Sequence, residues 1–229
     1  MSAPLGRRPF LGTLASLAGM AAVAPASASA SALAAPRPEP GCGSSAASGT
    51  WDLSWLDTLK GKHRQVFAAG AGGPVSMAVA TNWLDAHEEV FGLKPPAVNA
   101  VIGISVRAFP INCTDPLWVK YELGRRFEIK DPVTGAWATH NIFLDQAPEF
   151  TGWKVVGVRP LQAREVIFWQ CNNALTGHAN RFAREMQLDP KQVREELIAG
   201  LNPGVKLVPA HTMALGLAQE HGCAYEQIG

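Results

Sequence analysis

Cys171 is the residue in this sequence best placed to do chemistry. It follows the apolar run Val166-Ile167-Phe168-Trp169-Gln170 and precedes a helix-forming stretch from Asn172 towards Met186. A cysteine at a strand end and a helix mouth meets the positive end of the helix and its unpaired backbone N–H groups, and both favour the thiolate. A thiolate is a nucleophile that can accept or pass on sulfur, or exchange with a disulfide. Arg107, if it faces the same edge, adds a cation that favours the thiolate further. Position alone leaves another reading open, in which Cys171 is a small, inert core residue.

In open parallel sheets, ligands bind beyond the carboxyl ends of the strands. The strand ends nominate Ser105, Arg107, Asn172, Asn173 and His211 as substrate-binding residues beside Cys171, with Gly70 to Gly73 at the first strand end. That glycine turn lacks the Lys-Ser/Thr of a phosphate-binding loop and reads as a plain strand–helix turn. His140, in the long segment Gly124 to Phe150, is a candidate to close over the site, because loops of that length are commonly functional or mobile. His211 opens a helix, where it is as readable as a polar end as a ligand. The sequence holds four cysteines, Cys42, Cys113, Cys171 and Cys223. Sequence cannot choose among their possible pairings, and Cys113 with Cys171 is the pair that would make a redox couple. No CxxC or Cys/His spacing of the zinc-site kind appears, so neither a metal nor another cofactor is expected.

These residues need strands and helices to position them. Lys62 to Ala69 reads as a first strand. Pro74 is placed to open a helix over Val75 to Phe91, and Gly92 to close it. Ala97 to Val106 is the strongest strand, and Asp115 is the expected N-cap before Pro116. Gly124 to Phe150 reads as irregular, with a turn at Asp131-Pro132-Val133-Thr134-Gly135. Leu161 to Glu165 reads as a helical turn and Val166 to Gln170 as a buried strand. Helices follow from Asn172 and from Pro190, then a strand at Val205 to Pro209, a helix at His211 to His221 and a strand at Ala224 to Ile228. Short apolar runs alternating with helical patterns predict an α/β domain, a three-layer α/β/α arrangement around a five-stranded, mostly parallel sheet.

The first residues read differently. Gly6-Arg7-Arg8-Pro9-Phe10-Leu11 precedes an apolar stretch from Leu14 to Ala24, too short to span a bilayer, and then an Ala/Ser tract offering Ala-x-Ala cleavage sites. The paired arginines resemble the twin-arginine export motif, with Gly6 where Ser or Thr is usual. The expectation is a signal peptide over 1–34, a disordered linker over 35–50, one domain over 51–229 and a periplasmic location. Cys42 lacks the apolar residue expected before a lipidated cysteine, so no membrane anchor is expected after cleavage. The chain's 229 residues carry a net charge of +1, and without Arg7 and Arg8 there are 18 basic against 19 acidic residues. No basic stripe points to nucleic acid.

The strand into Cys171-Asn172-Asn173-Ala174-Leu175, the segment Leu201-Asn202-Pro203-Gly204-Val205-Lys206-Leu207-Val208-Pro209-Ala210, the closing Leu217-Ala218-Gln219-Glu220-His221-Gly222-Cys223-Ala224-Tyr225 and the opening Lys60-Gly61-Lys62-His63-Arg64-Gln65-Val66-Phe67 together resemble the DsrE/DsrF-like family, closest to its exported branch. The resemblance covers most of residues 51–229. It implies a flavodoxin-like sheet between helices, a homo-oligomer (trimer or hexamer), and a cysteine at the position of Cys171 that carries sulfur as a persulfide. The expected partner is then a small sulfur compound or a sulfur-donor protein. Two other functions fit the same residues: a non-catalytic small-ligand-binding or assembly protein, and a thiol–disulfide oxidoreductase using Cys113 and Cys171.

Overall fold

Residues 98–104 read Val-Asn-Ala-Val-Ile-Gly-Ile, and all of them are buried in the computed structural model, which describes residues 51–228. The expected signal peptide, the linker and Cys42 lie outside the described residues. A strand that is apolar on both faces belongs in the middle of a covered parallel sheet. This one, β2 (Val98–Ile104), lies between β1 (His63–Ala69) and β5 (Ile167–Cys171). With β6 (Lys206–Val208) and β7 (Ala224–Ile228) the sheet runs β6-β5-β2-β1-β7, and every pairing is parallel. The register sets Ala69 beside Ile104, Ile104 beside Gln170 and Cys171 beside Val208, so the carboxyl ends of four strands form one edge.

Alternation along the strands feeds two cores. Phe67, Ala69, Ala100, Ile102, Ile104 and Phe168 point to one face. That face is covered by α1 (Val75–Phe91), through Met77, Ala80 and Leu84, and by α5 (Asn172–Met186), through Leu175, Ala179 and Phe182. The spacing of these residues is that of one helical stripe. α6 (Pro190–Ala199) adds Val193 and Leu197, and Asp189 caps it by accepting from Gln192 N at 2.8 Å. Val66, Ala68, Val101, Trp169 and Val208 point to the other face. There α7 (His211–Glu220) supplies Ala214, Leu215 and Ala218, beside Trp55 and Leu56 of a short 3-10 helix over Ser54–Thr58. The three-layer, flavodoxin-like α/β architecture read from the sequence is therefore the one present, with unequal outer layers.

The connection from β2 to β5 contains the helix expected from Asp115, and it departs from the expected irregular stretch Gly124 to Phe150 only at that stretch's two ends. It holds a 3-10 helix over Val106–Asn112, then α2 (Asp115–Lys120), α3 (Leu123–Arg126), β3 (Gln146–Phe150), β4 (Trp153–Val156) and α4 (Val158–Ala163). β3 and β4 form an antiparallel hairpin turned by Thr151 at φ 50° and Gly152 at φ 81°. A two-residue turn with both residues at positive φ matches the twist of its strands, which is why glycine occupies the second position. The Asp131 turn forms as expected: its carboxylate accepts from Val133 N at 2.9 Å and Thr134 N at 2.8 Å. At α2 the N-cap is Thr114, not Asp115, and Asp115 Oδ1 instead accepts from Asn141 N at 2.8 Å.

Candidate functional site

β5 passes into α5 without a loop, and Cys171 is both the last strand residue and the N-cap of the helix. Caps are usually Ser, Thr, Asp or Asn, whose oxygens accept from the orphan N–H groups of the first turn. Sulfur is a weaker acceptor, so a cysteine here caps the helix less strongly than those residues would. Its Sγ accepts from Ala174 N of α5 at 3.5 Å. It also accepts from His211 N, the first amide of α7, at 3.3 Å. The alternation of β5 points Cys171 to the face covered by α7, which explains how a second helix start reaches the same sulfur. The sulfur thus meets N–H groups from two helix starts, each with its positive end towards it. Cys171 is 5% exposed.

Trp169 sets the geometry beside it. Its indole lies against Gly103, where a Cβ would come within 2.3 Å of Trp169 Cζ2, so only glycine fits that position of β2. On its other side the ring meets Trp55, at 5.3 Å between centroids. Its Nε1–H donates to His211 Nδ1 at 3.2 Å. Indole nitrogen only donates, so Nδ1 is unprotonated and the imidazole proton sits on Nε2. Burial also holds the His211 pKa below its usual 6.5, which favours this neutral form.

Beneath the site runs a layer of buried amides that sequence reasoning did not identify. Gln170 is fully buried; its Nε2 donates to Cys171 O at 3.2 Å and its Oε1 accepts from Asn112 Nδ2 at 3.3 Å. Asn112 Nδ2 also donates to Trp169 O at 3.1 Å. Asn202 N donates to Asn112 O at 2.7 Å, and Asn202 Nδ2 to Ile111 O at 3.0 Å. Asn141 Nδ2 donates to Ile111 O and Cys113 O at 3.0 and 2.7 Å. The Asn112 bonds to Trp169 O and Gln170 tie the end of β5 to the connection after β2, while Asn112 Oδ1 and Asn202 Oδ1 are buried without a partner. One signal was available: Gln170 is a polar residue inside an otherwise apolar strand.

The other nominated residues are spread more widely. His211 is brought to Cys171. Asn172 Oδ1 accepts from Arg194 Nη2 at 2.5 Å, which ties α5 to α6. Asn173 is exposed. Ser105 is buried at the end of β2, its N–H donating to Ala69 O at 3.0 Å. Arg107 pairs with Glu128 at 3.0 Å and lines a cavity that touches none of Cys171, Asn172, Asn173 or His211. His140 is exposed and lies 3.7 Å from Asp131 in the long connection.

The remaining described thiols are in other settings. Cys113 is fully buried, its Sγ donates to Phe109 O at 3.4 Å, and burial pushes its pKa well up. Burial pushes Cys223 to about 11, against a smaller opposing pull from Arg64. All three described thiols are free. Among the described residues no cluster of three or more His, Cys, Asp or Glu side chains gathers to hold a metal ion, and no helix is long and apolar enough to cross a membrane. Set against known proteins, the chain matches no protein-family model and no curated protein.

Proposed function

We propose that this protein handles sulfur, with Cys171 accepting sulfane sulfur from a small sulfur compound or a donor protein and carrying it as a persulfide. The observation that carries this reading is the pair of N–H groups, Ala174 N and His211 N, directed at one sulfur from two helix starts. In the loading step the Cys171 thiolate attacks the outer sulfur of a donor persulfide. A bond from Sγ to that sulfur forms as the donor S–S bond breaks, and the donor leaves as its thiolate. No external oxidant or reductant is consumed. The resemblance to the DsrE/DsrF-like family supports the same role, and with it assembly into a homo-oligomer. The twin-arginine pattern supports export to the periplasm.

The near-burial of Cys171 favours one other reading, a non-catalytic small-ligand-binding or assembly protein in which the sulfur is only packed. Nothing in the surroundings of Cys113 favours thiol–disulfide exchange with Cys171, because its thiol is spent on Phe109 O inside the core. The test is intact-mass spectrometry after incubation with a persulfide or polysulfide donor. The expected result is the gain of one sulfur atom, removable by reductant and absent in Cys171→Ser. Serine keeps the capping position filled, so the variant folds. Equal loading of the variant, or none of the wild type, overturns sulfur transfer.

A further inference from the structure

The amino edge of the sheet, opposite the edge that carries Cys171, holds two imidazoles side by side. His63 is the first residue of β1 and His87 stands in the last two turns of α1, and their ring centroids are 4.9 Å apart. His87 Nδ1 lies 2.8 Å from Trp83 O, one helical turn back. A carbonyl only accepts, so the proton of a neutral His87 sits on Nδ1, and Nε2 keeps a bare lone pair. Neither that Nε2 nor either ring nitrogen of His63 has a hydrogen-bond partner among the described residues. Both side chains are half-buried, so solvent reaches them.

Aromatic neighbours hold the two rings. Trp83, His87 and Phe91 follow one another at four-residue spacing and so share one face of α1. The Trp83 ring lies 4.2 Å from His87, and Phe91 stacks on His63 at 5.8 Å with 16° between planes. Phenylalanine at either histidine position would serve such a stack as well. What two imidazoles add is a pair of nitrogen lone pairs that no protein donor uses. Metal-ligating histidines are commonly oriented in the way His87 is, by one ring N–H donated to a backbone carbonyl. The separation fits as well, since a metal–nitrogen bond of about 2.0 Å places two ring centroids on one ion roughly 5 Å apart.

We propose that His63 and His87 together bind one exchangeable transition-metal cation, Cu²⁺ most tightly, with water completing its shell. Imidazole suits copper, zinc and nickel, and affinity among these divalent ions peaks at copper. His87 offers Nε2, while His63, held by no hydrogen bond, can turn either nitrogen to the ion. The neighbouring carboxylate of Glu88 is taken by Lys94 at 2.8 Å and does not join them. Two protein ligands are fewer than a resident metal needs, so the ion enters and leaves from solvent. The pair stands apart from Cys171 and does not depend on the sulfur reading.

Titration of the full-length protein with Cu²⁺, followed by calorimetry and pulsed EPR, tests this. One Cu²⁺ per chain carrying two imidazole nitrogens is expected, with no competition from Mg²⁺, which prefers oxygen ligands. His87→Gln and His63→Gln should each leave one imidazole on the ion and weaken binding by at least about tenfold. His140→Gln, which removes an exposed histidine beside Asp131, should change neither. Ni²⁺, which does not oxidise thiols, should be weakened by the same two substitutions. His63→Gln breaks no hydrogen bond and decides the matter if His87→Gln fails to fold. Fewer than two imidazoles on the wild-type ion, or undiminished binding in a folded variant of the pair, overturns the proposal.

Discussion

At the carboxyl end of β5 the chain enters a helix without a loop, whereas at the end of β2 it enters a 3-10 helix through Val106 at φ 31°, a left-handed conformation that disfavours a β-branched residue. The two regions share one edge of the sheet but are built in different ways. Around Cys171 the polar groups that matter are backbone amides of α5 and α7, fixed by the helices themselves. Around Arg107 they are side chains: His178 Nε2 donates to Val106 O at 2.9 Å, Arg181 lies over the Phe127 ring at 5.4 Å, and Arg107 pairs with Glu128 in the open. Backbone donors are set when the fold forms and tolerate most side-chain changes nearby. Side-chain contacts are adjustable, and they are sensitive to each residue that orients them.

Three substitutions or conditions break or sharpen this contrast. The largest effect is expected at Gly103, beneath the Cys171 region. Gly103→Ala drives a Cβ into the Trp169 indole and should destabilise the fold by about 2 kcal/mol by overpacking. Chemical denaturation measures that loss, and the nitrogen shifts of His211 should show its tautomer released as Trp169 moves. Val106→Gly acts in the opposite sense on the other region. Relief of the positive φ should outweigh the added backbone freedom of the unfolded chain, for a net gain of about 1 kcal/mol. A stability loss instead would show that Val106 is not strained.

The smallest effect is the pH response. Burial lowers the pKa of both His211 and His178. The unfolded chain therefore takes up protons first as pH falls through about 6.5, and stability declines from there until the folded-state values are passed. Thermal unfolding between pH 7.5 and 5 should show the decline. His211→Gln and His178→Gln should each flatten it, one for each region. Parallel curves for wild type and both variants would show that neither histidine contributes.

The same division marks what could be read from the sequence. β2 was legible because Val98 to Ile104 has to be covered on both faces, and the junction at Cys171 was legible because an apolar run ends where a helical pattern begins. The donor from α7 was not, since bringing His211 to Cys171 needs the register of β5 against β6. The β3–β4 hairpin escaped because its turn is Thr151-Gly152, without the Asn or Asp that usually marks positive φ at the first position. The cation expected beside Cys171 lies elsewhere: Arg107 follows a positive-φ valine, and no local pattern announces that conformation. Asn112 and Asn202 are ordinary polar residues until the fold buries them against β5.

The hydrogen bond from His211 N to Cys171 also has a kinetic meaning. It belongs to the first turn of α7, the only α-helix among the described residues that covers its face of the sheet, and α7 leads into the edge strand β7. A helix end and an edge strand open at lower free energy than a central strand. Each opening of that unit uncovers the sulfur and withdraws one of its N–H partners. The labelling rate of Cys171 is therefore a clock for α7, and any bound partner that steadies α7 slows it without touching the cysteine.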